Sequence, residues 1–204
     1  LLAENRPEWG ITYFGILKAG AVVVPVDHEA SLDEVLNIAR WAGLKAAVVS
    51  DKVQHRIDVR GSLAAALPEV KLLPLGEESY ALAGPRAEPL PPLLLSARGE
   101  EMASLIFTSG TTGRPKGVML SHRNFTSLLA KMSAVFDVDK PDGLLSVLPL
   151  HHTFEFSAGL LMPLMRGAQI TYLPDINSDS LAQAFREGHI TGMVGVPALY
   201  QLLY

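Results

Sequence analysis

The chain has 204 residues, 49% of them apolar, which is enough to bury a core and argues against disorder. Its formal charge of -4 comes without a long run of Lys or Arg, so nothing marks a nucleic-acid or anionic-lipid partner, and a small polar or acyl substrate fits better. The chain has no cysteine, which excludes a disulfide scaffold, a thiolate metal site and a cysteine nucleophile, and is compatible with a reducing cytoplasm.

Helix-period and strand-like stretches alternate along the chain, the pattern of a layered α/β body with a mostly parallel sheet flanked by helices. Pro7 to Ala19 sets Trp9, Tyr13, Ile16 and Leu17 at helical spacing. Gly20 ends that run, and Ala21 to Val24 reads as a buried strand. Ser31 with Glu34 three positions on forms a capping box that opens a helix to Trp41. Gly43 and a strand over Lys45 to Val49 then repeat the step. Residues 76–100, with Gly76, Gly84, Pro85, Pro89, Pro91 and Pro92, read as a surface connection. Further strands are expected at Leu105 to Phe107, Gly117 to Leu120, Leu144 to Leu148, Gln169 to Tyr172 and Gly192 to Val194. Helices are expected near 122–136, 156–166 and 179–187. No apolar run approaches the roughly 18–20 residues of a membrane helix, because Leu160 to Leu164 is cut by Pro163 and followed by Arg166. Peripheral membrane contact stays open. The chain starts at Leu1 and stops inside the apolar run Ala198 to Tyr204, so we expect a piece of a longer protein.

The chemistry concentrates in Thr108-Ser109-Gly110-Thr111-Thr112-Gly113-Arg114-Pro115-Lys116-Gly117, which holds four hydroxyls, three glycines and one lysine after an apolar strand. Glycines let successive amides turn toward one anion, hydroxyls donate to phosphate oxygens or ligate Mg²⁺, and the lysine adds a point charge. An ordinary Gly/Ser/Thr-rich turn would not need Lys116 or so many hydroxyls. A Walker A loop would need Gly-Lys-Ser/Thr, whereas Lys116 is preceded by Pro115 and followed by Gly117. A conventional NTPase would also need an acid ending a neighbouring strand, and Asp175 and Asp179 instead follow Pro174 in an expected loop.

This loop resembles the signature of the adenylate-forming superfamily of acyl-CoA synthetases, luciferases and peptide-synthetase adenylation domains. Three further segments resemble that family in the same order. They are Glu4-Asn5-Arg6-Pro7-Glu8-Trp9 through Leu17-Lys18-Ala19-Gly20 to Pro25-Val26-Asp27, then Leu148-Pro149-Leu150-His151-His152-Thr153-Phe154-Glu155, and Val196-Pro197-Ala198-Leu199-Tyr200. The resemblance spans nearly the whole chain and implies part of the large N-terminal AMP-binding domain over residues 1–204. The small C-terminal domain and the later family motifs have no counterpart before Tyr204.

The resemblance implies activation of a carboxylate by attack on the ATP α-phosphate, with pyrophosphate released and the acyl group passed to coenzyme A or an acyl carrier protein. It assigns Ser109, Gly110, Thr111, Thr112, Gly113 and Lys116 to the nucleotide phosphates and Thr108 to Mg²⁺. It puts His152 where the carboxylate meets the α-phosphate. Phe154, Phe156 and Ser157 to Met162 would line an apolar acyl site. Amino-acid-activating relatives carry an aspartate directly after the aromatic position; here Thr153 follows His152, although Glu155 stands two positions further on. The opening segment is most similar to long-chain fatty acyl-CoA or acyl-carrier-protein synthetases, so the resemblance implies a fatty acid, with an aryl acid as an alternative and a homodimer left open; a cytoplasmic location is the expectation from the missing cysteines. Taken without it, the two histidines would be structural or solvated and the aromatics plain helix core, and a non-catalytic nucleotide- or acyl-binding module stands as the alternative.

Overall fold

The structure is a computed structural model and describes residues 1–76, 98–108, 115–173 and 176–200. The chain divides into two units, one of Leu1–Glu4 with Ile11–His122 and the other of Asn5–Gly10 with Arg123–Tyr204. Helix α1 (Pro7–Lys18) is divided between them, its first turn counting with the second unit.

In the first unit, α2 (Leu32–Ala42) starts as the sequence dictates. Ser31 Oγ accepts from the Glu34 N–H at 3.3 Å, and Glu34 Oε2 accepts from the Ser31 N–H at 2.9 Å. These bonds hold the Glu34 carboxyl below its usual range. Gly43 closes the helix at φ 59°, a left-handed conformation that glycine adopts without strain. Replacing Ser31 with alanine is expected to lower stability by about 1 kcal/mol, the usual worth of an N-cap, read as a shift of the urea midpoint. The chain continues through β1 (Ala46–Ser50), α3 (Asp51–Arg56), α4 (Val59–Ala66) and β2 (Lys71–Leu75), with β1 and β2 paired in parallel. β3 (Met102–Thr108) and β4 (Lys116–Ser121) form an antiparallel pair.

The apolar run Ala21 to Val24 does not form the expected strand. It makes one bridge, Val23 to Ser104, and Leu2 bridges both Val26 and Val49. Proline at 25 removes one ladder donor, and the pairing is confined to the two bonds of that bridge, Val23 N–H to Ala103 O at 3.0 Å and Leu105 N–H to Val23 O at 2.9 Å. These single bridges still tie extended chain to β1 and β3. A core of Leu2, Val26, Val35, Ile38, Val49, Val53, Val59 and Leu63 packs beneath them.

In the second unit, α5 (His122–Ser133) begins at the unit boundary, and a parallel sheet runs in the order β6 (Gln169–Tyr172), β5 (Gly143–Ser146), β7 (Gly192–Met193). The helix expected near 156–166 begins earlier and is not uniform. A single turn, α6 (Thr153–Glu155), passes into a π-helix over Phe156–Leu161 and then α7 (Met162–Arg166), which Gly167 ends at φ 75°. α8 (Ser178–Glu187) is capped by Asn177, whose side chain accepts from Ser180 N–H. Asp179 lies in its first turn rather than in a loop. α9 (Pro197–Tyr200) closes the described chain. No helix among the described residues is long and apolar enough to cross a membrane.

Candidate functional site

The predicted phosphate loop joins β3 to β4. Residues 109–114, and with them Ser109, Gly110, Thr111, Thr112, Gly113 and Arg114, lie outside the described residues. The base of the loop is defined. Thr108 ends β3 and Lys116 begins β4, and the two are register partners. Directly opposed residues of an antiparallel pair project from the same face, so a hydroxyl and an ammonium stand side by side, both exposed. Gly117 pairs with Phe107, and a Cβ there would come within 3.0 Å of Leu105 Cδ1. Glycine is what lets β4 lie against β3 immediately beyond the lysine. This donor set suits an anionic, oxygen-rich ligand.

Among the described residues, no group of three or more His, Cys, Asp or Glu side chains could hold a metal ion.

The predicted histidine pair belongs to the second unit. After β5, residues 147–150 lead into a turn in which the His152 N–H donates to Pro149 O at 3.0 Å. His152 is then the N-cap of α6, at φ -84° and ψ 135°, and its side chain makes no capping hydrogen bond. The imidazole is exposed. The rings of His151 and His152 lie 4.1 Å apart at 46°. Phe154 is 56% exposed. Phe156 is not: it is buried, 5.8 Å from the Trp9 ring and 5.2 Å edge-on from Phe125. Ser157, Ala158, Gly159, Leu160 and Met162 are buried as well. They form core rather than an open lining, because the bulged helix turns a continuous run inward.

Sequence reasoning gave no role to two residues beneath this turn. Asn5 Oδ1 accepts from the Leu150 N–H at 2.9 Å, and Asn5 Nδ2 donates to Leu148 O at 2.7 Å and, at a longer 3.5 Å, to Ser146 Oγ. One side chain thus satisfies the backbone on both sides of Pro149, which has no N–H of its own. Glu155 is fully buried, and Ser146 Oγ donates to its Oε1 at 2.5 Å. Its Oε2 makes no hydrogen bond among the described residues. Burial pushes the Glu155 carboxyl up to about 7, against the opposing pull of the Ser146 hydroxyl and the Leu148 amide. The available signal was a lone charge inside Phe-Glu-Phe-Ser-Ala-Gly-Leu-Leu.

Comparison with known proteins identifies the family. The family model described as AMP-binding enzyme matches residues 1–204. A long-chain-fatty-acid-CoA ligase of Gallus gallus is 27% identical over 98% of the chain and 29% of its own length. A mitochondrial malonate-CoA ligase of Mus musculus is 31% identical over 99% of the chain and 34% of its own length. The ATP-bound crystal structure of MatB from Rhodopseudomonas palustris superposes with a TM-score of 0.82 at 25% identity, covering 98% of the chain and 39% of that protein. The chain spans about two fifths or less of the length of these curated relatives. With a family match over its full length, the chain belongs to the AMP-binding enzymes, the adenylate-forming superfamily.

Proposed function

We propose that this chain supplies the phosphate-loop base and the carboxylate-side histidine of an acyl-CoA ligase. A carboxylate oxygen attacks the α-phosphorus of ATP, the bond to the bridging oxygen of the β-phosphate breaks, and its electron pair leaves with pyrophosphate. The thiol of coenzyme A, or of an acyl carrier protein, then loses its proton and attacks the acyl carbon of the resulting adenylate, and the bond from that carbon to the phosphate oxygen breaks to release AMP. The observation that carries this reading is the opposed pair Thr108 and Lys116 at the loop end of the β3–β4 hairpin. Lys116 offsets charge on the outer phosphates and Thr108 is the hydroxyl available to Mg²⁺, which would neutralise phosphate oxygens when bound. His152, whose ring is not used in capping, orients the attacking carboxylate.

A fatty acid is the substrate class we favour. The opening segment at residues 4–9 and the exposed Phe154 two positions beyond His152 support it, and Thr153 in place of an aspartate weighs against an amino acid. The relatives act on acids as different as malonate and long-chain fatty acids by their names, so acyl length is the property to measure.

The test is acid-dependent pyrophosphate exchange by the full-length protein across short, aryl and long-chain acids. Exchange with long-chain acids is the expected result, and none with any acid would sink the proposal. His152→Ala is expected to cut exchange by about 10- to 100-fold through kcat, the scale of a lost orienting contact, with ATP binding by calorimetry unchanged.

A further inference from the structure

The turn that presents His151 and His152 is held at both ends by one buried polar chain within the second unit. On the strand side, Asn5 fixes Leu148 O and the Leu150 N–H. On the helix side, the Phe156 N–H donates to His152 O at 2.9 Å, which seats Glu155 in the first turn beyond the histidines. Ser146 at the end of β5 joins the two, donating to Glu155 Oε1 at 2.5 Å and lying 3.5 Å from Asn5 Nδ2.

Several local rules are broken to keep Glu155 there. A carboxyl is buried with one oxygen making no hydrogen bond among the described residues, an arrangement that costs stability. The helix bulges into a π-turn directly after it, where the Met162 N–H reaches back to Ser157 O, and such bulges cluster at functional sites. Glycine at 159 leaves room for this carboxyl, because a Cβ there would lie 2.2 Å from Glu155 Oε1 and would push it aside. A leucine at 155 would pack a core more simply.

We propose that Glu155 is a positioning residue for carboxylate activation, acting through Ser146 and Asn5 to fix the turn that presents His152. The inference rests on the reading of His152 given above. Glu155 acts through its neighbours: its Oε1 is the acceptor that orients the Ser146 hydroxyl, and the Leu148 amide faces the same carboxyl. The strand exit and the helix start thereby keep one relative placement, and the His152 ring keeps one approach to the carboxylate.

Three full-length proteins decide this: wild type, Glu155→Leu and Glu155→Gln. Each is observed by NMR of ¹³C-labelled histidine, with the two imidazoles assigned through single substitutions, and each is assayed for acid-dependent pyrophosphate exchange. Glu155→Leu removes the buried acid but leaves the Ser146 hydroxyl without its acceptor, so its melting temperature is measured beside the other readouts. It should shift the His151 and His152 resonances and lower kcat by at least about tenfold, with the KM for ATP within about twofold. Glu155→Gln keeps the Oε1 acceptor and should restore both readouts. Unmoved resonances and wild-type kcat in Glu155→Leu would overturn the proposal, as would a Gln variant no better than Leu. If the wild type exchanges with no acid, the functional reading fails, and the resonances alone decide the positioning role. If Glu155→Leu does not fold, Ser146→Ala removes the same link. It is expected to give the same shifts and the same loss, and unchanged behaviour in it would overturn the proposal.

Discussion

Lys116→Ala in the full-length protein is expected to lower pyrophosphate exchange by about 100-fold or more, the scale of removing one charged donor from a phosphoryl-transfer site. Its melting temperature should stay within about 2 °C of wild type, as for most exposed substitutions. Lys116 is exposed at the first position of β4 and contributes nothing to the cores of either unit. A pure stability effect therefore has no route. A positioned point charge stabilises the charge of phosphoryl oxygens in the transition state and adds little to the folded state. The loss should appear in kcat and in ATP affinity together, because the ammonium meets charge already present in the ground state as well as charge that develops. Lys116→Arg should recover only part of the rate, since a planar fork does not replace a compact charge. Exchange at wild-type level in Lys116→Ala would remove the loop base from the mechanism.

The sequence was most legible where a local rule is strong. The Ser31–Glu34 box and the left-handed Gly43 mark the ends of α2 without any tertiary information, and the structure has both. The loop motif carried the family resemblance, which the family match over residues 1–204 bears out, while residues 109–114 themselves lie outside the described residues. Legibility fell where elements are short or where pairing is long-range. α3 and α4 span six and eight residues, too few for a clear helical period, and Pro74 inside β2 reads as a breaker when it is the register partner of Val49 on an edge strand. Ala21 to Val24 has the composition of a buried strand, but whether its amides form a ladder depends on what lies beside it, and only Val23 bridges β3. The role of Asn5 could not be read at all. Its partners lie more than 140 positions away, and a single sequence carries no record of such a pairing. Glu155 was visible as a charge among apolar residues, yet the π-turn that seats it has no sequence signature.

Glu155→Gln is expected to stabilise the protein at pH 8 relative to wild type and to lose that advantage as the pH falls toward 4. The Glu155 carboxyl is raised in the folded protein to about 7 from an ordinary value of 4.5, first by burial. The acid therefore binds its proton more tightly folded than unfolded. Its favourable contribution is complete below pH 4.5 and is lost as the pH rises through about 7, where folding must bury a carboxylate. At about 1.4 kcal/mol per pH unit, the loss amounts to roughly 3 kcal/mol by pH 8. Tyr172 on β6 is the titratable group that faces Glu155, and its phenol is pushed up to about 12 by burial and then by the Glu155 charge, so it stays neutral throughout this window. Arg166, at the far end of the same helical run, is engaged by Ser133 O and Asp139. Every other titration cancels in the difference between variant and wild type. Gln keeps the oxygen that accepts from Ser146 and carries no charge, so its urea midpoint should exceed that of wild type at pH 8 and converge with it near pH 4. A difference that is flat with pH would mean that Glu155 does not change ionisation between the folded and unfolded chains in this range. The convergent result would show that the protein retains an acid at this position although a neutral side chain of the same shape holds the fold better at neutral pH.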